Sequence, residues 1–187
     1  MNDAAHAILA YLQAKDENRP YLISAAFRDD ARVSMTVRTT SIAFPSEIRG
    51  SADIADVLVR RFNQKHENIH SFCVGQPPAL GQMRYSCAWL VAMSQKQDGA
   101  VRFGAGRYDW AFDGIGDRRA SALTIRVDLM ETLPEEMLPA IMTWAGALPR
   151  PWCETAALER RLPDIPVLRT VLHHARDIAD SIAPVAA

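Results

Sequence analysis

Charge of one sign is what this sequence most clearly lacks. Its 21 lysine and arginine residues are balanced by 22 aspartate and glutamate residues, which gives a formal net charge of −1. Nucleic acids and anionic membranes attract proteins that present a strongly basic face. We therefore expect neither of them as a partner, and the balance favours small molecules or other protein surfaces.

Cysteine and long apolar runs are also scarce. The three cysteines, Cys73, Cys87 and Cys153, are odd in number and widely spaced, a pattern typical of reduced thiols that act as small buried hydrophobes. The sequence shows no basic start followed by a long apolar run, and no apolar stretch near the ~20 residues of a membrane span. These absences predict a soluble, cytoplasmic protein without a membrane partner.

An apolar content of 49% in 187 residues is enough for one globular domain with a complete core. The strongest pattern is three consecutive strands over residues 84–93, 100–112 and 120–131, separated by turns at 97–99 and 113–117. Both turns contain Asp-Gly, a strong hairpin signal because glycine adopts the positive φ of a tight turn. The apolar positions of the third strand alternate and predict one buried face, formed by Leu123, Ile125, Val127 and Leu129.

Helical periodicity predicts an amphipathic helix over residues 3–15, capped by Asn2 or Asp3, and another over residues 51–66. A sheet with one apolar face needs a cover, and these are the long helices that precede it. We therefore predict an α+β fold in which a curved antiparallel sheet wraps around the N-terminal helices. A short helix over 21–27 and strands over 32–39 and 69–74 complete this part of the chain.

The pattern changes after residue 133, where helices are predicted over residues 134–147, 153–161 and 166–182. The last of them carries an apolar stripe that is typical of a helix docked on another surface. We expect a cone domain over residues 1–133 and a C-terminal helical extension over 134–187. The extension should pack on the domain or on a partner subunit.

Four segments carry a family resemblance through their order and spacing: YLQAKD at 11–16, FRDDARV at 27–33, IRGSADI at 48–54 and YDWAFDG at 108–114. Together they resemble the nuclear transport factor 2-like (SnoaL-like) superfamily over roughly residues 3–131. The resemblance implies a cone of curved sheet around a pocket. The superfamily includes ketosteroid isomerase-like enzymes, scytalone dehydratase-like and bile-acid dehydratase-like enzymes, polyketide cyclases and members without known chemistry, so the fold alone assigns no reaction.

The isomerase branch matches the sequence incompletely. Tyr11 matches the phenol of its oxyanion hole, but the position of the general base falls near Met35, which cannot take a proton. The second oxyanion donor of that branch, a carboxylic acid, falls at Tyr108. Two phenols without a base polarise a carbonyl but do not remove its α-proton. Steroid isomerisation is therefore not expected.

The dehydratase branches match better. They place an aspartate at the end of the first helix and a histidine on the strand after the long helix, which correspond here to Asp16 and His70. A carboxylate that holds an imidazole tautomer raises its basicity and gives a proton-transfer pair near neutral pH. Tyr11 would polarise the substrate. Phe72 also fits the sequence position that is assigned to His70. The alternative to a catalytic pair is that Asp16 is solvated and that His70 is a structural residue of its strand.

Aromatic residues could form a pocket for a flat apolar ligand, with Phe72, Trp89, Tyr108 and Trp110 as its walls, although a solid core would show the same pattern. Residues 66–70, HENIH, satisfy the zinc-protease pattern. That motif requires a helix and a third ligand, whereas residue 69 onward has the pattern of a strand. We expect neither a metal nor an organic cofactor.

These observations lead to two hypotheses. The first is a cofactor-independent lyase or isomerase of the dehydratase kind, which acts on a small apolar, polyketide-like or steroid-like molecule through Asp16, His70 and Tyr11. The second is a non-catalytic module that binds a small ligand or mediates dimerisation. Arg107 and Asp109 should lie on the outer sheet face, through which the resemblance implies a homodimer.

Overall fold

The structure is a computed structural model that describes residues 3–113 and 118–182, so most of the turn predicted at 113–117 and Asn2 lie outside the described residues. The predicted α+β fold is confirmed. The helices are α1 (Ala4–Asp16), α2 (Ile23–Ala26), α3 (Ser51–Ala55), α4 (Phe62–Lys65), α5 (Leu138–Gly146), α6 (Thr155–Glu159) and α7 (Pro166–Ile182). The strands are β1 (Phe27–Val37), β2 (Glu47–Arg49), β3 (His66–Val74), β4 (Arg84–Gln95), β5 (Val101–Ala111), β6 (Ala120–Leu133) and β7 (Trp152–Cys153).

Local sequence explains the helix boundaries. The carboxylate of Asp3 accepts a hydrogen bond from the amide of His6 at 2.8 Å and so caps α1. The long helix predicted over residues 51–66 is present as α3 and α4, joined by a π-helical turn, Asp56–Arg61. Within the described part of the chain, no helix combines the length and apolar character that crossing a membrane requires.

The seven strands form one open, mixed sheet in the order β2-β1-β6-β5-β4-β3-β7. The predicted meander forms its centre, where β4, β5 and β6 pair antiparallel in succession. Strand β1 pairs parallel with β6 and antiparallel with β2, and the short β7 pairs parallel with β3. The N-terminal helices lie across this sheet. Its two edge strands, β2 and β7, come from distant parts of the sequence.

Two glycines on β5 allow the sheet to bend. A Cβ atom at Gly106 would lie 1.9 Å from the carbonyl oxygen of Arg126, and one at Gly104 would lie 2.6 Å from that of Leu129. The pairing of β5 with β6 also shifts between Ala105 and Gly106, which leaves Asp128 as an extra residue in β6. The expected alternation of β6 consequently ends at Val127, and Leu129 packs on the outer face of the sheet.

The sheet separates two hydrophobic cores. The inner core lies between the concave face and α1 to α4, and the outer core lies between the convex face and the C-terminal helices. Helix α7 buries the predicted stripe, and the ring of His174 lies 3.3 Å from the carboxylate of Asp128 on β6. The C-terminal helices thus cover part of the outer face, through which the homodimer was expected.

Candidate functional site

A buried polar cluster joins the end of α1 to β3. The Nζ atom of Lys15 donates to Oδ1 of Asp16 and to Oγ of Ser71, both at 2.6 Å. The backbone amide of Ser71 donates to Oδ2 of Asp16 at 2.8 Å, and its hydroxyl lies 2.9 Å from Oδ1. The side chains of Lys15 and Asp16 are only 8% and 9% exposed. Burial of both charges is tolerated because each is paired and hydrogen-bonded.

The surroundings fix Lys15 in place. The side-chain amide of Asn63 donates to the carbonyl oxygen of Lys15 at 2.8 Å and to that of Val59 at 2.9 Å. The ammonium group lies 5.4 Å from the ring centroid of Phe62, a cation–π distance. The helix that ends with the pair is therefore tied to the long helix beside it, and the ammonium position is set by three neighbouring elements.

This cluster borders an inner cavity of about 50 Å³ between α1 and the concave face of the sheet. Its walls are mostly apolar, and the residues with polar side chains in its lining are Tyr11, Lys15, Ser71 and Tyr108. The remaining lining residues are Met35, Ile42, Phe44, Leu58, Phe62, Trp89, Val91, Met93, Ile125, Val127 and Met130. A few polar groups that converge in an apolar cavity are typical of a small-molecule site.

The two phenols of the cavity are kept neutral. Burial is the main cause that raises the pKa of Tyr11, and the negative charge of Asp16 raises it further, against a smaller opposing hydrogen bond with Tyr108. Burial likewise raises the pKa of Tyr108 well above its ordinary value. Their ring centroids lie 6.3 Å apart. Both phenols are therefore neutral at physiological pH, and the hydrogen bond between them leaves one hydroxyl proton to be donated elsewhere.

Trp89 and Tyr108 line the cavity, whereas Trp110 lies in the core beside it. The rings of Trp89 and Tyr108 stack with centroids 5.7 Å apart, and the indole Nε1 of Trp89 donates to the carbonyl oxygen of Arg126 at 3.2 Å. The ring of Trp110 stacks on Phe27 and on Phe112. Packed aromatic rings thus form one side of the cavity, and Trp89 and Tyr108 are the rings that line it.

His70 and Phe72 lie on the outer face of the sheet, away from the cavity. Phe72 belongs to the outer core, and the Nδ1 atom of His70 accepts a hydrogen bond from Arg150 at 2.9 Å. Burial lowers the pKa of His70, as does the charge of Arg150, while Asp16 opposes them. The expected Asp16–His70 hydrogen bond is replaced by the contacts of Asp16 with Ser71 and Lys15, because Ser71 is the residue of this segment that faces inward.

A bulge in β3 sets this register. The pairing of β3 with β4 shifts between Glu67 and His70, and Asn68 within the shift adopts φ of +52°. His66 and His70 both belong to this strand, so the zinc-protease pattern lacks the helix that it needs. No cluster of three metal-ligating side chains occurs among residues 3–113 and 118–182.

Ile42, Phe44 and Phe62 form part of the cavity lining, and the rings of Phe44 and Phe62 stack 6.2 Å apart. The same three residues form the floor of a second, larger hollow of about 700 Å³, which we call the mouth cleft. The rest of the mouth cleft is lined by Ser41, Ala43, Pro45, Val57, Arg61, Gln64, Lys65, His66, Gln95, Lys96 and Gln97. The loop over residues 38–46 thus contributes Ile42 and Phe44 to the lining of both spaces.

Of the residues selected from the sequence, Tyr11, Trp89 and Tyr108 line the cavity and Asp16 lies behind Ser71, whereas Lys15 and Ser71 were missed as members of the cluster. The available signal was the alternation of Ile69, Ser71 and Cys73 along β3, since Ile69 and Cys73 belong to the inner core. A lysine next to a helix-terminal aspartate gives no such signal, because most lysines are solvated.

No protein-family model and no curated protein matches this sequence. Among solved structures, a nuclear transport factor 2-like superfamily protein from Salmonella enterica serovar Typhimurium is 16% identical, with a TM-score of 0.53, over 67% of this chain and 88% of that one. A computationally designed 17-OHP binder is 14% identical, with a TM-score of 0.53, over 70% and 99% of the two chains. A nuclear transport factor 2-like protein of unknown function from Burkholderia pseudomallei is 12% identical, with a TM-score of 0.52, over 74% and 97%. The chain therefore has the nuclear transport factor 2-like fold that the sequence predicted.

Proposed function

We propose that the cone binds a small molecule with an apolar body and one carbonyl or hydroxyl oxygen, and that Lys15, Tyr11 and Tyr108 hold this oxygen. The observation that carries the proposal is the presence of one lysine and two neutral phenols in the lining of one otherwise apolar cavity. Hydrogen-bond donors in an apolar lining favour an acceptor oxygen on the ligand. Trp89 and the aliphatic lining provide the surface for the apolar body.

Ligand entry requires movement of the loop over residues 38–46. The cavity has a volume of only about 50 Å³, whereas drug-sized ligands occupy pockets of about 300–1,000 Å³. Displacement of Ile42 and Phe44 would join it to the mouth cleft of about 700 Å³. The side chains to be moved are half-buried and apolar, so an apolar ligand can replace the contacts that they lose.

The designed 17-OHP binder supports this use of the fold. It matches this chain over 70% of its length with a TM-score of 0.53, so a cone of this shape accommodates the ligand named for that protein. A sequence identity of 14% does not indicate that this chain binds the same ligand. The support extends to the general proposal that the space enclosed by the curved sheet holds a small molecule.

A second candidate function is a lyase or isomerase step on the bound molecule. It is favoured by the chain of contacts from the cavity through Ser71 to Asp16, which places a carboxylate one hydroxyl away from the ligand space. Ser71 would accept a substrate proton while it passes its own to Asp16, and Lys15 and Tyr11 would stabilise the negative oxygen that develops. In this proposal Asp16 and Tyr11 keep the roles expected from the sequence, and Ser71 and Lys15 take the place of His70.

The binding proposal can be tested with two ligands of similar shape, 2-acetylnaphthalene and 2-ethylnaphthalene. Each would displace the neutral fluorescent probe N-phenyl-1-naphthylamine from the protein. We expect the ketone to bind about 5- to 10-fold more tightly, as one added hydrogen bond of about 1 kcal/mol implies. Tyr108→Phe should reduce this preference and keep binding of the hydrocarbon.

Tyr85→Phe is the matched control, because Tyr85 is a buried phenol outside the cavity lining whose hydroxyl donates to the carbonyl oxygen of Gln76 at 2.8 Å. This variant should retain the preference for the ketone. Absence of probe binding to the folded wild-type protein, or an equal affinity for the two ligands, would contradict the proposal.

A further inference from the structure

The mouth cleft is lined by basic side chains. Arg61, Lys65, His66 and Lys96 face it, whereas its described lining includes no aspartate or glutamate. The amide of Lys96 donates to the carbonyl oxygen of Lys65 at 2.9 Å, which holds the two lysines at neighbouring points of the rim. Arg61 is paired with Asp56 at 2.7 Å. Among the ion pairs of the described residues, none engages Lys65 or Lys96, so both ammonium groups remain available for an anion.

A buried guanidinium adds positive charge behind this wall. Arg102 is 6% exposed and donates to Oγ1 of Thr132 at 2.8 Å and to the carbonyl oxygen of Ser41 in the loop. Its Nε atom is buried and has no hydrogen-bond partner within the described residues. Desolvation lowers the pKa of Arg102, an effect that Asp98 partly offsets. Asp98 itself lies in the turn after β4, where its carboxylate accepts hydrogen bonds from Gln95 and Ala100.

The titration of His66 is consistent with a positive environment. Burial is the largest cause that lowers its pKa, and the charges of Arg102, Lys15 and Lys65 lower it further, against a hydrogen bond to the carbonyl oxygen of Phe62. The charges that act on His66 thus include the exposed Lys65 at the rim and the buried Arg102 and Lys15 behind it. A cleft lined by charge of one sign focuses its field and attracts ligands of the opposite sign.

The mouth cleft adjoins the inner cavity, since Ile42, Phe44 and Phe62 line both spaces. We propose that the ligand is an amphipathic organic anion, whose carboxylate or phosphate group binds Lys65 and Lys96 in the mouth cleft while its apolar body passes into the cone. This inference rests on the proposed function and adds a substrate class to it. The net charge of −1 gives no indication of this site, because it averages over the whole chain and the basic residues of the cleft are concentrated locally.

The test compares decanoate and decyl phosphate with neutral 1-decanol as competitors of N-phenyl-1-naphthylamine, at low and at high salt. We expect both anions to displace the probe at least 10-fold more effectively than the alcohol at low salt, with the advantage reduced at high salt. The tighter of the two anions identifies the head group. The double variant Lys65→Gln/Lys96→Gln should weaken anion binding about 5- to 10-fold and leave 1-decanol unchanged.

The matched control is Arg169→Gln/Arg176→Gln, which removes two exposed charges of α7 away from the mouth cleft. It should leave all three competitors unchanged. Equal binding of decanoate, decyl phosphate and 1-decanol by wild type, or equal losses of anion and alcohol in the lysine variant, would overturn the anion proposal and leave the pocket intact. Failure of the probe and of every competitor to bind would overturn both the pocket and the anion site.

Discussion

The Nζ atom of Lys15 lies 2.6 Å from the Oγ atom of Ser71, although the two residues are 56 positions apart in the sequence. This contact joins the last turn of α1 to the inner face of β3, and Asp16 closes the group by accepting hydrogen bonds from both residues. The cluster is both a structural connection and the polar end of the proposed ligand site. Its energetics are therefore the first property to measure.

Asp16→Asn should destabilise the protein by about 3–5 kcal/mol, because it leaves the buried ammonium of Lys15 without its counter-charge. Urea denaturation monitored by circular dichroism measures this loss as a lower midpoint. The double variant Lys15→Met/Asp16→Asn removes both charges and should be more stable than Asp16→Asn alone. Glu17→Gln is the control, since this neighbouring carboxylate is 45% exposed and should change stability by less than about 1 kcal/mol. Equal effects of Asp16→Asn and Glu17→Gln would refute the assigned role of the pair.

Gly106→Ala should destabilise the protein by at least about 3 kcal/mol, the upper end of the usual cost of overpacking. The reason is that the new methyl group would lie 1.9 Å from the carbonyl oxygen of Arg126. Two backbones meet at this point, so relief requires the strands to separate. Gly146→Ala is the control: its Cβ would contact only the ring of His70, at 3.9 Å, and alanine favours a helix. Thermal unfolding of the two variants compares the costs. A Gly106→Ala protein as stable as wild type would contradict the tight bend of β5 and β6.

Stability should fall as pH drops from 7.5 to 5.0, partly through His70 and His66. Burial lowers the pKa of both histidines in the folded state, so the unfolded chain takes up protons first, near its pKa of about 6.5. The stabilising contribution of the two neutral histidines is therefore complete above the pKa of the unfolded chain. It is lost as the pH falls from that value toward the lower pKa values of the folded state. Protonation of His70 would also oppose the hydrogen bond that its Nδ1 atom accepts from Arg150.

The double variant His66→Gln/His70→Gln should consequently show a flatter dependence of urea stability on pH over this range. His6→Gln removes an exposed imidazole from α1 and is the control for loss of one histidine. A pH profile of the double variant that parallels wild type would show that neither histidine contributes.

The sequence predicted the elements well because their periodicity and turns are local properties. The sequence did not predict the register of two strands, because a single extra residue in a strand reverses which side chains face inward. Asn68 has this effect in β3, where Ser71 rather than His70 faces the cavity, and Asp128 has it in β6, where Leu129 lies outside. The bulge in β6 leaves no mark in the apolar alternation that precedes it. In β3 the alternation of Ile69, Ser71 and Cys73 indicates the inward residues but was not used, so the aspartate of the site was found and its partners were not.

Phe44→Ala should make the inner cavity easier to enter, because the ring of Phe44 stacks on Phe62 and lines both the cavity and the mouth cleft. In stopped-flow fluorescence we expect N-phenyl-1-naphthylamine to associate several-fold faster with the variant. Acrylamide should quench tryptophan emission more strongly, since Trp89 lines the cavity beneath this residue. Leu80→Ala is the control, because it removes a large apolar side chain that is 88% exposed and lies elsewhere. Unchanged association and quenching in Phe44→Ala would show that ligands reach the cone by another route, because removal of this ring opens the wall shared by the two spaces.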